Sequence, residues 1–169
     1  MSFETHLLDR KHHRNEFICE QPSLATYLKE QVTQDIKKKL SLCFVTVDDK
    51  SRVIGYYTLS YASISRDMVP MDVQKKLGYK DIPVTLLGRL GRDEHYTGHG
   101  LGEFLLMDAL RRSVQASKDQ SASFAVVTDP IDVMAEKFYA KYGFKKLEGS
   151  QRMFLPMQTI EGLFKAWLL

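Results

Sequence analysis

Positions 86–102 read Leu-Leu-Gly-Arg-Leu-Gly-Arg-Asp-Glu-His-Tyr-Thr-Gly-His-Gly-Leu-Gly. Glycines at 98, 100 and 102 let the backbone turn tightly and bring its N–H groups close to a ligand. They lead straight into a helix start, where unpaired N–H groups and the helix dipole favour an anion. The chemistry this pattern suits is the holding of a phosphate-bearing cofactor. A Walker A loop is excluded because no Gly-Lys-Ser/Thr ending is present. A dinucleotide fold needs its glycine loop in an early βαβ unit with an acid about twenty residues on. Here Asp119 falls in a polar loop after the helix, which argues against that reading.

A second segment with chemical potential is Ala135-Glu136-Lys137-Phe138-Tyr139-Ala140-Lys141-Tyr142-Gly143-Phe144. Helical spacing places Met134, Phe138 and Tyr142 on one stripe, read as core. Tyr139 lies one step round, beside Ala135, within reach of a cleft edge, although by itself a tyrosine here reads first as structural. Asp93, Glu94 and His95 stand where a general base could act, although loop solvation is the reading favoured for each. His95 and His99 raise the question of a metal. Glycines 98 and 100 break the helical face that would pair them, so no metal is expected.

These residues need a scaffold. One chain of 169 residues can bury a real core as a single domain spanning 1–169. No apolar run approaches the roughly 18–20 residues of a membrane span. The first residues lack the basic and apolar stretches of a secretory signal. Two cysteines, Cys19 and Cys43, form no CxxC pair and are expected to be reduced thiols, which points to a cytoplasmic protein. Net charge is +3, and basic residues cluster at 10–14 and 37–39. Such clusters either track phosphates or form a solvated helix face.

The pattern of elements is mixed α/β. After a first strand, a helix capped by Ser23 carries Leu24, Tyr27, Leu28 and Val32 at helical spacing. A hairpin of strands 42–47 and 52–64 turns at Asp48-Asp49-Lys50. A short helix over 71–77 precedes the apolar strand 84–90, where Gly88 and the adjoining Gly91 suggest a bulge or a close backbone approach. The helix after the glycine loop buries Leu101, Leu105, Leu106, Ala109, Leu110 and Val114. Strand 124–128, helix 131–141, two short strands and an apolar tail, 160–169, complete the order. The tail's Leu163, Phe164, Trp167 and Leu168 either close the core or meet a partner, which leaves a homodimer open.

Together the two segments resemble the GNAT acetyltransferase superfamily. Its pyrophosphate motif, Arg/Gln-x-x-Gly-x-Gly/Ala, is matched by Thr97-Gly98-His99-Gly100-Leu101-Gly102, with Thr97 departing at the first position. Phe138-Tyr139…Gly143-Phe144 matches as well. Further likeness runs through Phe17…Cys19-Glu20-Gln21-Pro22-Ser23-Leu24…Tyr27-Leu28, Gly55–Ser60, Leu86–Leu90 and Phe154–Met157. It is to the GNAT toxins of bacterial toxin–antitoxin pairs. The resemblance implies a central mixed sheet of six to seven strands, splayed in the middle and flanked by about four helices. It implies acetyl-CoA as donor, backbone groups of Leu90 and Arg92 on the pantetheine, and residues 97–102 around the pyrophosphate. It also implies Tyr139 as the acid that protonates the departing thiolate, and Arg89 is a candidate for contact with the acceptor. Aminoacyl-tRNA is the implied acceptor and a ribbon-helix-helix antitoxin the implied partner. A small-molecule or protein amine is the alternative acceptor, and a non-catalytic CoA-binding module the alternative role.

Overall fold

A computed structural model describes residues 2–168, with side chains described up to residue 165. Seven strands form one mixed sheet: β1 (His6–Leu7), β2 (Leu42–Val47), β3 (Val53–Ser65), β4 (Asp81–Arg92), β5 (Ala125–Thr128), β6 (Lys145–Lys146) and β7 (Met153–Pro156). Their hydrogen-bonded order is β1-β2-β3-β4-β5-β7-β6. Pairs β1–β2 and β2–β3 are antiparallel, β4–β5 is parallel, and β5–β7 and β6–β7 are antiparallel. The helical segments are α1 (Pro22–Thr26), α2 (Val32–Lys37), α3 (Met71–Gln74), α4 (Leu101–Asp119), α5 (Val133–Lys141) and α6 (Met157–Leu168). A π-turn over Tyr27–Gln31 fuses α1 to α2, and α3 is a single turn, so four helical bodies of two turns or more flank the sheet, as expected. The chain divides into two compact units, residues 1–60 with 88–109 and residues 61–87 with 110–169.

In the first unit, Pro22 occupies the first helical position and Gln21 the N-cap. Ser23 is therefore inside the helix and not its cap. Proline's fixed φ and missing N–H suit that position. The wide π-turn leaves the Leu28 carbonyl to accept from Arg14 Nη1 at 2.9 Å. Tyr27, Leu28 and Val32 are buried, as their spacing predicts, and pack with Phe17, Cys43, Val45, Val53 and Tyr56. The β2–β3 turn is held by Asp48, which accepts from the N–H groups of Lys50 and Arg52 at 2.9 and 3.0 Å and pairs with Arg52 Nε at 2.6 Å. Cys19 and Cys43 are free thiols.

In the second unit, Ala125, Val126 and Val127 of β5 are fully buried. Ile64, Val69, Ile82, Val84, Leu147 and Phe154 pack with Ala125 and Val127. Helix α5 begins at Val133, two residues later than expected, because the Asp132 side chain caps it by accepting from Ala135 N–H at 2.8 Å. The apolar tail is α6. Its Met157 and Ile160 are buried and Leu163 is 39% exposed, so its first turns close this unit's own core. The side chains of Trp167 and Leu168 lie outside the described residues. Ile160→Ala is expected to cost about 2–5 kcal/mol, read as a lowered urea midpoint at unchanged slope.

Candidate functional site

Strand β4 hands over to the glycine loop through Asp93, which is buried. One carboxylate oxygen accepts from His95 N–H at 2.9 Å and lies 2.7 Å from His95 Nδ1. The other accepts from Ile18 N–H at 3.0 Å. Backbone bonds run alongside: Asp93 N–H donates to Ile54 O at 2.7 Å and Glu94 N–H to Ile18 O at 2.8 Å. Asp93 is thus the anchor of the loop and not a free base. It caps the single 3₁₀ turn Glu94–Tyr96. Glu94 and His95 are exposed, and the Asp93 contact fixes the His95 ring with Nε2 left over.

Gly98 and Gly100 adopt positive φ, +83° and +74°. Only glycine takes that region without strain, and two such residues turn the chain sharply into α4. Phe104 N–H reaches Gly100 O at 3.0 Å. The N–H groups just ahead of it are the free donors that any helix start presents. Leu101 and Leu105 are fully buried. They seat α4 so closely on β3 that a Cβ at Gly55 would come within 2.9 Å of Leu105. At Gly100 an added Cβ would meet open space, so the cost of Gly100→Ala is backbone strain alone. That substitution is expected to raise the KM for a phosphate-bearing cofactor roughly fivefold through about 1 kcal/mol of strain, measured by steady-state kinetics.

Leu90 and Arg92 share one face of β4 and Arg89 takes the other, by strand alternation. The Arg89 guanidinium lies 3.7 Å over the Tyr27 ring. Tyr27 in turn donates to Asp35 at 2.7 Å. Arg92 Nη2 sits 3.4 Å from Thr97 Oγ1 and 3.5 Å from Glu20 Oε1. The structure therefore brings Arg92 to the start of the glycine run and keeps Arg89 apart from it, on Tyr27. The close approach expected at Gly88 is the Thr58 hydroxyl, which would stand 2.9 Å from an added Cβ and accepts from Arg89 N–H at 3.0 Å. Pairing of β4 with β5 runs through Leu87↔Thr128, where β5 ends, while β4 continues for five residues to Arg92.

In the second unit, Tyr139 is 7% exposed, whereas Met134 is 71% exposed and Phe138 and Tyr142 are half-buried. The stripe read as core is only half-buried and opens to solvent at Met134, while Tyr139 is the buried residue of α5. Tyr139 packs against Phe138 and Phe144 at ring distances of 5.3 and 5.4 Å. Burial pushes its phenol up to about 12, with a hydrogen bond to the Thr128 side chain pulling the other way. Thr128 itself donates to Leu87 O at 2.9 Å.

Among the described residues, no three His, Cys, Asp or Glu side chains group as a metal site would require. Nor is any described helix long and apolar enough to cross a membrane. Glu20, Tyr27 and Thr58 were not singled out by sequence as site residues. Their link to β4 exists only once the chain is folded.

No protein-family model matches the chain. It is 35% identical over 129 residues to the tRNA-acetylating toxin of Mycobacterium tuberculosis (strain ATCC 25618 / H37Rv), covering 76% of each chain. It is 31% identical over 163 residues to the probable toxin TacT of Sinorhizobium fredii (strain NBRC 101917 / NGR234), covering 90% of each. Among solved structures, a tyrosine-to-phenylalanine mutant of KacT superposes with a TM-score of 0.90 at 30% identity, covering 97% of this chain and 100% of that one. AtaT complexed with acetyl-methionyl-tRNAfMet gives 0.89 at 27% identity, with 96% and 99% covered. AtaTR bound with AcCoA gives 0.83 at 28%, with 96% and 98% covered.

Proposed function

Because the chain belongs to the GNAT toxins of bacterial type II toxin–antitoxin systems, we propose that it transfers the acetyl group of acetyl-CoA to the α-amino group of an aminoacyl-tRNA and so blocks translation. The observation that carries this reading is the turn at Gly98 and Gly100, which delivers a buried strand end into the start of a nineteen-residue helix. It is an anion cradle built from backbone, and it fits the diphosphate of acetyl-CoA. Backbone groups of Leu90 and Arg92 hold the pantetheine amides, and residues 97–102, that is Thr97, Gly98, His99, Gly100, Leu101 and Gly102, hold the diphosphate. Acetyl-CoA supplies an acetyl group already activated as a thioester.

The choice of amine follows from proton energetics. A lysine side chain, with a reference pKa of about 10.4, loses its proton near neutral pH at a cost of roughly 4 kcal/mol. An α-amino group near 7.7–8.0 costs only about 1 kcal/mol. With Asp93 committed to the loop, an acceptor that needs little help suits this chain. Tyr139 remains protonated at neutral pH and acts as the donor to the sulfur that departs. Lys37, Lys38 and Lys39, all exposed at the end of α2, supply positive charge for an RNA acceptor. The activity is assigned to residues 1–169 as one domain working in the cytoplasm, with a ribbon-helix-helix antitoxin as its regulator.

The test is transfer of radiolabelled acetyl from acetyl-CoA to bulk charged tRNA beside an uncharged control. Label on the charged pool alone is the expected result. Faster labelling of free metabolites or peptides than of charged tRNA overturns the acceptor assignment.

A further inference from the structure

The fold brings the Arg92 guanidinium to Thr97, the first residue of the glycine run. Its Nη2 lies 3.4 Å from Thr97 Oγ1. Its Nε is buried and has no hydrogen-bond partner among the described residues. An orphaned guanidinium N–H is costly, and a strand end beside an anion cradle is an unexpected place to leave one. Meanwhile Thr97 stands where the motif carries an arginine or glutamine side chain, which a threonine is too short to replace.

The partner Arg92 has in this structure is the Glu20 carboxylate at 3.5 Å, beyond the usual N–H···O range of 2.7–3.2 Å. Glu20 also lies 3.4 Å from Thr97 Oγ1. Thr97 has only one hydroxyl proton, and the 2.8 Å contact with Glu94 O claims it. Toward Arg92 the Thr97 oxygen therefore accepts, and among the described residues Glu20 is held by the guanidinium. Glu20's side chain is 65% exposed, so it can leave at little cost.

Building on the acetyl-CoA reading, we propose that the Arg92 side chain clamps the cofactor's diphosphate in place of the missing side chain at position 97, and that Glu20 is the resting counter-ion it exchanges for phosphate. The role is one of cofactor affinity and specificity. Phosphate offers a guanidinium a planar, charge-assisted pair that a loosely held carboxylate does not.

Calorimetric titration of the purified full chain with acetyl-CoA tests this, beside Arg92→Met, Glu20→Gln, Arg92→Met/Thr97→Arg and the same proteins' turnover of S-acetylpantetheine, which lacks the diphosphate. Arg92→Met keeps the aliphatic stem and is expected to weaken acetyl-CoA about tenfold or more, the worth of a charge-assisted hydrogen bond. Glu20→Gln should tighten it about twofold to fivefold by removing the competing charge. Adding Thr97→Arg should restore most of the loss, and in Arg92→Met turnover of S-acetylpantetheine should fall by clearly less than acetyl-CoA affinity does. Equal acetyl-CoA affinity in wild type and Arg92→Met overturns the clamp. Weaker binding by Glu20→Gln, or an equal loss with S-acetylpantetheine, marks a structural ion pair and overturns it as well. If the wild type itself does not bind acetyl-CoA, the acetyl-CoA reading falls, which is a different result from unresponsive variants of a binding-competent protein.

Discussion

Tyr139→Phe is expected to lower kcat by about 10²–10³-fold, the effect of removing one well-placed donor from developing negative charge, with acetyl-CoA affinity and thermal stability close to wild type. The argument starts from burial. Tyr139 sits against Phe138 and Phe144 and is 7% exposed, and its phenol is pushed up to about 12 by that desolvation. A free thiol has a reference pKa of about 8.5. Complete transfer from this phenol to a free thiolate is strongly uphill. The residue therefore contributes by hydrogen-bonding the sulfur as charge develops, more than by finishing the proton transfer ahead of bond breaking. The phenol is fully protonated below its raised value, so the donor is present across the working range and is lost only as pH passes about 12. Single-turnover rates from pH 6 to 9.5 should rise with deprotonation of the α-amine near 7.7–8.0 and show no alkaline fall. A Tyr139→Phe enzyme within fivefold of wild type would remove the residue from the mechanism.

A residue's task is legible in the sequence where its own backbone sets it and hidden where distant neighbours do. Gly98 and Gly100 were legible because positive φ is a property of the residue itself, and the helix behind them because six apolar positions repeat along it. Strands 42–47 and 124–128 were legible from dense β-branched and aromatic content between turn signals. Helix α5 is only nine residues long. Two and a half turns leave the direction of its buried face to what packs on it, and Phe144 with Thr128 turn Tyr139 inward while Met134 faces solvent. Ser23 looked like a cap because serine prefers that position, yet Pro22 fixes the helix start one residue earlier. The contact between Glu20 and Arg92 spans most of the first unit's chain length, and no local pattern encodes it. Asp93 is the clearest case: an acid in a polar stretch reads as solvated until the chain closes upon it.

That closure gives Asp93→Ala a large expected effect on stability and on function together. Its carboxylate receives Ile18 N–H from a segment 75 residues away, and His95 N–H and Nδ1 from the loop it starts. Alanine removes the acceptor that joins the Ile18 segment to the loop, and each charge-assisted bond lost is worth more than an ordinary one. We expect a loss of about 2–4 kcal/mol of unfolding free energy by urea titration. Asp93→Asn retains an acceptor oxygen for one of the donors and should lose about half as much. The effect on function runs through the same bonds. Asp93 sets where the 3₁₀ turn begins, and the turn sets where Gly98 starts its reversal, so the cradle loosens even in molecules that stay folded. Acetyl-CoA KM should rise about tenfold in Asp93→Ala at a temperature well below its melting point, a loss of about 1.4 kcal/mol in cofactor binding. A variant within 0.5 kcal/mol of wild type and with unchanged KM would show that the Ile18 and Ile54 backbone bonds alone hold the loop, and that the carboxylate serves neither stability nor the cradle.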